Sequence, residues 1–545
     1  MTLTPDRRSE TLLVRIGDRV SDPVRGHIGL ALVAVAFAAL HVLVVGLDRP
    51  LGWDEAVLYT QVVPDVPAVF MEPHRTRGVS LLVAPIAVVD PSMVVLRGYL
   101  VVVAAVGLYA AFATWLRTIG GAAVLAAAMF ATFWVTWFYA VEVLPNLPTA
   151  LFSVAAGGLV AQVLIGDEVP RRVPILLGGV FLVFALVRPP EAALIGLALA
   201  VLVIVLRPAV GVRVLAPPAI GGILGLAAWF LEGAVRFGFS PAGTLASAAE
   251  YSVDGERFNQ LPLYLASLED NLRCTGSCIE EHLEAGVSWQ LPPARTSLFL
   301  LTLALAAVLA LIAERDSRRP VLVAAAIAVP VLALYGYSAG AMNLRYLLPV
   351  YALGFIAAAA GARLVWWIVP RGGLGLIARV ALLVPVAAAL VWQTSHGAPW
   401  AGEPGGARYR AAELGAAIEP HLEDGPCAIG TVVNYPQIQY WTRCPATRIV
   451  SGGSGEIQRP LGELGSYVDL SAAAGRGDQV LAVVRTDPPS EHPVASWELL
   501  EPGVQAEGEE FEIRRWRAGD PLPPPPCPED GGERRLAEVL APQCP

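Results

Sequence analysis

Long apolar runs dominate the chain between residues 27 and 395, and short polar turns separate them. Each run is about 15–25 residues long, and about 20 apolar residues cross a bilayer as a helix, so the pattern predicts about eleven membrane spans. A further apolar stretch, 79–89, is too short to cross, and we expect it to lie along the membrane interface. The predicted spans are 27–47, 93–116, 121–140, 148–166, 173–187, 191–206, 214–232, 297–313, 320–338, 346–368 and 374–395.

Arginine placement predicts which way the spans run, because cytoplasmic loops carry an excess of basic residues. A group of arginines precedes the first span, so we expect segment 1–26 in the cytoplasm. The first loop (48–92) and a long loop (233–296) then lie on the outer side of the cell membrane. Because the number of spans is odd, everything after residue 395 lies on that side as well. The rule leaves few arginines on that side, so those that occur there need a local reason: Arg75, Arg77, Arg188, Arg236 and Arg345.

Residues 396–520 have the pattern of a small soluble domain. An amphipathic helix is predicted at 407–423, and buried strands at 427–433 and 479–485. Shorter strand patterns follow at 496–500 and 510–516, and a proline-rich segment, 521–545, ends the chain. The predicted fold class is therefore an α-helical polytopic membrane protein with a small extracytoplasmic α/β domain near its C-terminus.

Composition agrees with this picture: 55% of the 545 residues are hydrophobic, 16% are charged and the net charge is -9. All 38 basic residues are arginine, and the acidic balance excludes a basic nucleic-acid binder. Every cysteine falls outside the apolar runs, which predicts disulfides in an oxidising compartment, with free thiols as the alternative. The pairing is open, although Cys427 and Cys444 can join the first strand to the segment after Trp441. The six are Cys274, Cys278, Cys427, Cys444, Cys527 and Cys544.

The first outer loop carries the strongest candidates for chemistry. It begins with Gly52-Trp53-Asp54-Glu55, and adjacent carboxylates at a membrane surface are costly unless they are solvated or used. The alternative is that these acids cap a short helix. Further along, 72–78 reads EPHRTRG and holds His74, Arg75 and Arg77, whose guanidiniums suit a phosphate or, alternatively, lipid headgroups.

Other outer turns add charged groups beside prolines. Glu142 precedes Pro145-Asn146, Arg188 precedes Pro189-Pro190-Glu191, and Arg345 is followed by Tyr346. The predicted topology brings all these groups to one face of the membrane. Carboxylates there can deprotonate a hydroxyl nucleophile, and arginines there can neutralise a phosphate leaving group. The set as a whole indicates a substrate that is a lipid phosphate.

In four segments the chain resembles the GT-C glycosyltransferases, polytopic enzymes that use polyprenyl-phosphate sugars and include protein O-mannosyltransferases and aminoarabinose transferases. The segments are GWDEAVLYTQ at 52–61, YAVEVLPNLPTALF at 139–152, LVRPPEAAL at 186–194 and RYLLPVYAL at 345–353. The chain departs from the family pattern at Pro145-Asn146, where many relatives have Pro-Asp, and after His74, where relatives often have Pro-Pro.

The resemblance implies a GT-C-like catalytic domain over 27–395 and transfer of a hexosyl or pentosyl group from a polyprenyl-phosphate donor to an extracytoplasmic acceptor. It implies Asp54 as the general base with Glu55 beside it, and Glu142 in place of the missing aspartate. A divalent metal is left open, with Asp54 and Glu142 as its ligands if there is one. His74, Arg75, Arg77, Arg188, Arg345 and Tyr346 are the expected substrate-binding residues, and membrane lipids are the expected surroundings.

Two other functions remain open. A lipid-linked-sugar transporter or flippase places ionisable groups near the membrane midplane and usually has an internal repeat, neither of which is visible in the sequence. A non-catalytic envelope assembly protein would instead use the C-terminal domain to bind a partner.

Overall fold

A computed structural model of the chain describes most of the predicted membrane part and most of the C-terminal domain. The described residues are 23–166, 168–252, 264, 268, 274–275, 294–312, 315–337, 341–368, 384, 388, 391–392, 395, 406–449, 470–486, 488 and 493–522. The predicted cytoplasmic segment, the last predicted span and the proline-rich segment lie outside these residues almost entirely. Cys278, Cys527 and Cys544 lie outside them as well.

Helices make up the whole described membrane part apart from short connections. By length and apolar composition seven of them can cross a membrane, or eight if a bent pair is one span, within the residues described. The helices are α1 (Pro23–Leu40), α2 (Trp53–Tyr59), α3 (Gly78–Val89), α4 (Met93–Ala113), α5 (Leu116–Ile119), α6 (Ala122–Thr132), α7 (Trp134–Ala140), α8 (Asn146–Ile165), α9 (Arg172–Val187), α10 (Pro189–Leu206), α11 (Gly211–Phe237), α12 (Pro241–Ser252), α13 (Ala294–Ile312), α14 (Arg315–Tyr337) and α15 (Leu348–Ile368).

The α-helical membrane architecture predicted from the apolar runs is confirmed, and two spans differ from their predicted form. The span at 121–140 is broken at Phe133, whose extended backbone leaves α6 and α7 bent by 70°. The span at 214–232 continues to Phe237 because the polar residues that end the apolar run, Glu232 and Arg236, form an ion pair one helical turn apart. The short stretch at 79–89 forms the separate helix α3.

The C-terminal domain is built on five strands, β3 (Cys427–Thr431), β4 (Ala446–Arg448), β5 (Gln479–Arg485), β6 (Glu498–Ala506) and β7 (Glu509–Arg515). They form one sheet in the order β4-β3-β5-β7-β6. The three strands β3, β4 and β5 run parallel, and β6 and β7 form an antiparallel hairpin at one edge. A two-stranded pair, β1 (Cys274–Thr275) with β2 (Ala341–Met342), lies in the membrane part. The described α-helices of the domain are α16 (Ala407–Ile418), α17 (Tyr435–Thr442) and α18 (Leu470–Arg476).

A disulfide joins Cys427, at the start of β3, to Cys444, just beyond α17. This bond confirms the link that the sequence allowed between the first strand and the segment after Trp441. It closes a loop of 17 residues that contains all of α17, and it therefore restricts how far this helix can move from the sheet.

Helix α17 is also the part of the domain that packs on the first loop of the membrane part. The Gln439 side chain donates a hydrogen bond to the Pro67 carbonyl at 2.6 Å, and the Tyr440 hydroxyl donates to the Pro91 carbonyl at 2.9 Å. The Tyr435 ring contacts the Trp53 ring edge-on at 5.7 Å. Helix α2, which begins at Trp53, is thus covered by the C-terminal domain.

Candidate active site

Helix α2 positions the two acidic residues of the first loop in its first turn, where the positive end of the helix dipole favours carboxylates. Although adjacent, they face different surroundings. The Asp54 side chain is 26% exposed, whereas the Glu55 side chain is 1% exposed. Asp54 therefore opens toward solvent and any substrate, and Glu55 points into the protein.

Asp54 is bound by one arginine on each of its carboxylate oxygens. Arg75 donates to Oδ1 at 2.8 Å, and Arg345 donates to Oδ2 at 2.7 Å. Burial raises the pKa of Asp54, but the charges of Arg75 and Arg345 outweigh it and hold that pKa well below its usual range. Asp54 is consequently ionised at neutral pH.

Arg188 joins the same group through a set of tyrosines. The Tyr346 ring lies close to both arginines, 5.3 Å from the Arg345 guanidinium and 5.6 Å from that of Arg188, at distances that allow cation–π attraction. Tyr346 also stacks on Tyr335 at 4.9 Å with the two rings nearly parallel. The Tyr335 hydroxyl accepts a hydrogen bond from Arg188 at 2.9 Å and donates one to Glu191, so Arg188 is fixed in place.

His74 lies in the same environment. Desolvation lowers the pKa of its imidazole well below the usual value, and the positive charges of Arg75 and Arg188 lower it further against the opposing effect of Asp54. His74 is therefore neutral at physiological pH, so one ring nitrogen carries a proton and the other carries a lone pair. The loop that carries it is tied to the membrane helices by Thr76, whose hydroxyl donates to the Val187 carbonyl at 2.9 Å.

Glu55 belongs to a second, buried ion-pair cluster. It accepts hydrogen bonds from Arg97 on both oxygens, from Arg408 at 3.0 Å, and from the backbone N–H groups of Gly52 at 2.7 Å and Val143 at 2.8 Å. Burial raises the pKa of Glu55, but Arg97 and Arg408 lower it by more.

Glu142 is the other carboxylate of this cluster. Arg408 donates to its Oε1, and Arg49 lies 3.6 Å from the same oxygen. The Glu142 side chain is 1% exposed, like that of Glu55, so both carboxylates are committed to interactions within the protein.

The comparison with solved structures agrees with the architecture, while the sequence matches no protein-family model and no curated protein. ArnT from Cupriavidus metallidurans bound to undecaprenyl phosphate is similar with a TM-score of 0.57 and 15% identity, over 89% of this chain and 98% of that one. The oligosaccharyltransferase of Archaeoglobus fulgidus tethered with an acceptor peptide is similar with a TM-score of 0.53 and 14% identity, over 84% and 69%. The chain has the GT-C fold.

A third GT-C structure, the arabinofuranosyltransferase AftD from Mycobacteria, is similar with a TM-score of 0.51 and 15% identity. The aligned region covers 90% of this chain and 40% of AftD. The fold expected from the four sequence segments is thus confirmed.

Within this GT-C fold, most of the predicted site residues lie at one end of the helix bundle, in two neighbouring groups. The first, which we call the open cluster, consists of Asp54, His74, Arg75, Arg188, Arg345 and Tyr346. The second, which we call the buried cluster, consists of Arg49, Glu55, Arg97, Glu142 and Arg408. Arg77 belongs to neither group, because it donates to Glu232 at 2.7 Å and shares that carboxylate with Arg236.

The donor set does not suit the divalent metal that the sequence left open. Among the residues that the structure describes, no group of three or more His, Cys, Asp or Glu side chains could hold a metal ion. Asp54 and Glu142, the suggested ligands, each lie against arginines, whose positive charges would repel a bound cation.

Sequence reasoning missed the arginines of the buried cluster. A signal existed for Arg97, because an arginine inside an apolar span is costly unless it is paired with an acid. Arg49 follows a span directly and gave a weaker signal of the same kind. No local signal existed for Arg408, which lies 353 residues from Glu55 in a helix of the soluble domain.

Proposed function

We propose that the protein is an integral-membrane glycosyltransferase that moves a sugar from a polyprenyl-phosphate donor to an acceptor hydroxyl outside the cytoplasm. The observation that carries the proposal is the open cluster, in which a partly exposed carboxylate lies between guanidiniums at one end of a GT-C-fold bundle. ArnT and the archaeal oligosaccharyltransferase support the choice of donor, since their structures contain undecaprenyl phosphate and dolichol phosphate, respectively.

Asp54 is proposed as the general base. It accepts the proton of the acceptor hydroxyl while the acceptor oxygen attacks the anomeric carbon of the sugar. The bond between that carbon and the phosphate oxygen breaks in the same step, and the polyprenyl phosphate leaves with the bonding electrons. A single displacement of this kind inverts the configuration at the anomeric carbon.

Arg75, Arg188 and Arg345 are proposed to bind the phosphate. The leaving phosphate gains negative charge as the bond breaks, and fixed guanidiniums nearby stabilise that charge more than they stabilise the ground state. Without donor, two of these arginines are engaged by Asp54. A phosphate that shares them weakens their effect on Asp54, so donor binding raises the basicity of the carboxylate just when a base is required.

His74 and Tyr346 are proposed to orient the donor. His74 is neutral and can hydrogen-bond to a sugar hydroxyl, and the Tyr346 ring holds two phosphate-binding arginines in position. Glu55 and Glu142 were expected to be catalytic, but both side chains are buried and paired with arginines, which favours a different role. We assign them to positioning α2 and hence Asp54. The C-terminal domain, which covers α2, is proposed to contribute to acceptor binding.

Analysis of lipid-linked sugars in a strain that lacks the gene tests the function. We expect a polyprenyl-phosphate sugar to accumulate and a glycan of the cell envelope to lose that sugar. The wild-type gene reverses both effects, whereas Asp54→Asn reverses neither despite normal insertion in the membrane.

Two results would replace the proposal with an alternative. Movement of the lipid-linked sugar across reconstituted vesicles without cleavage of its phosphate bond would identify a transporter. Absence of sugar transfer by the purified wild-type protein, with the glycan restored equally by wild type and by Asp54→Asn, would leave a non-catalytic assembly protein.

A further inference from the structure

Arg408 extends from the C-terminal domain into the buried cluster. It is the second residue of α16, a helix of the C-terminal domain, and only 14% of its side chain is exposed. One guanidinium nitrogen donates to Glu55 at 3.0 Å and another donates to Glu142. A single side chain of the domain therefore links the two carboxylates of the membrane part.

The buried carboxylate of Glu142 depends on the positive charge of Arg408. Glu55 has Arg97 as a second partner, but among the described residues the nearest other cation to Glu142 is Arg49, at the longer distance of 3.6 Å. The second oxygen of Glu142 has no hydrogen-bond partner among the described residues. Loss of Arg408 would leave Glu142 with that one weak contact, and a buried carboxylate without a close partner is strongly unfavourable.

Gly52 provides an independent observation of how closely Arg408 approaches α2. The backbone of Gly52 has φ -75 and ψ 170, which any residue can adopt, so conformation does not explain a glycine here. A Cβ atom at Gly52 would lie 3.1 Å from an Arg408 guanidinium nitrogen and 3.3 Å from Glu55 Oε2. The absence of a side chain leaves room for the guanidinium against the start of the helix.

Glu55 transmits the position of Arg408 to Asp54. Its carboxylate accepts the Gly52 N–H at the start of α2, and its neighbour in the same helical turn is Asp54. A shift of Glu55 therefore moves the turn that aims the Asp54 carboxylate. Misplacement of a reacting group by about 1 Å costs on the order of 100-fold in rate.

We infer that Arg408 is a positioning residue for the transfer reaction, and that through it the C-terminal domain forms part of the catalytic centre. The inference rests on the proposed function and adds to it a requirement for a specific contact between domain and membrane part. The Arg408 guanidinium binds Glu55 and Glu142 and acts on Asp54 only through them, so its effect is on the rate of the chemical step and not on donor affinity.

Kinetics of the full-length Arg408→Ala variant test this requirement. We expect kcat to fall about 10- to 100-fold while KM for the donor changes less than about threefold. Added guanidinium ion should restore part of the lost kcat by occupying the vacated space. Arg410→Ala is the matched control, because Arg410 lies on the same helix and pairs with Glu509 inside the domain at 3.1 Å. This control should keep wild-type kcat and should not respond to guanidinium.

Gly52→Ala supplies a second, independent measurement. It should lower kcat in the wild-type background and have a smaller effect in the Arg408→Ala background, where the closer of its two contacts, the Arg408 guanidinium, is absent. Normal kcat in Arg408→Ala, or additive losses in the double variant, would overturn the inference.

Thermal unfolding separates this inference from the proposed function. The effects of Arg408→Ala and Glu142→Gln on the melting temperature should be strongly non-additive, because the two side chains contact each other. Such coupling in a protein that transfers no sugar would contradict the proposed function alone. Transfer that is insensitive to Arg408→Ala would contradict the inference alone.

Discussion

Arg345 donates a hydrogen bond to Asp54 at 2.7 Å, although the two residues are 291 positions apart in the chain. Asp54 lies in the first turn of α2, and Arg345 precedes α15, the final described long helix of the membrane part. Their contact therefore joins the N-terminal and C-terminal segments of the membrane part within the open cluster. It also means that, when no donor is bound, the proposed base is paired with one of the proposed phosphate-binding arginines.

Replacement of Asp54 by asparagine should abolish most transfer while preserving donor binding. Asparagine has nearly the same shape but cannot accept the proton, and general-base catalysis typically contributes about 100- to 10,000-fold in rate. We expect kcat to fall within that range in detergent-solubilised protein assayed with a polyprenyl-phosphate sugar. Asp65→Asn, an exposed position on the same loop, serves as the control. A kcat within twofold of wild type for Asp54→Asn would show that the base lies elsewhere.

Replacement of Arg345 by methionine should weaken binding of the donor phosphate. A hydrogen bond to a charged group contributes about 1.5–3 kcal/mol, which corresponds to roughly 10- to 100-fold in Kd. Titration of undecaprenyl phosphate into the purified protein measures this change directly. The control is Arg363→Met, since Arg363 is exposed and lies beside Thr118, away from the open cluster. Unaltered affinity in Arg345→Met would remove Arg345 from the phosphate site.

Much of this fold could be predicted from the sequence, because bilayer thickness fixes the length of each apolar run. Strand β5 has the predicted bounds, Gln479–Arg485, since both of its faces are buried and the apolar run is continuous. The break at Phe133 could not be predicted. It depends on packing between helices, and neither proline nor glycine marks it in the sequence.

The candidate site could be predicted only in part. The predicted outer turns lie at the ends of predicted spans, so the predicted topology alone gathers Asp54, Arg188 and Arg345 at one end. Sequence does not separate Asp54 from Glu55, because adjacent acids in a first helical turn look equivalent until their neighbours are known. Arg408 was missed because its partners are set by how a whole domain docks on the membrane part.

The pH dependence of stability should reveal the depressed pKa of Asp54. An unfolded aspartate has a pKa of about 3.9, and Asp54 in the folded protein has a lower one. Its ion pairs therefore contribute fully to stability above about pH 5, and the contribution is lost as pH falls below 3.9 toward the folded value. The melting temperature of wild type should exceed that of Asp54→Asn by a constant amount from pH 5 to pH 8.

That difference should shrink below pH 4, as protonation makes the two proteins alike. Asp65→Asn should differ little from wild type at any pH, since this side chain is exposed. A gap between wild type and Asp54→Asn that shrinks already between pH 7 and pH 5 would contradict the assigned direction of the pKa shift.

Loss of the disulfide between Cys427 and Cys444 should destabilise the C-terminal domain and, through it, the catalytic centre. Closure of a loop of this length is worth about 3 kcal/mol in the unfolded-chain model. The loop contains α17, whose Tyr440 and Gln439 hold the first loop of the membrane part. Treatment with a reductant should therefore lower both the melting temperature and the transfer rate of wild type. The Cys427→Ser, Cys444→Ser double variant should show these losses without any reductant. If the double variant retains wild-type kcat with a lowered melting temperature, the disulfide stabilises the domain without affecting the orientation of Asp54.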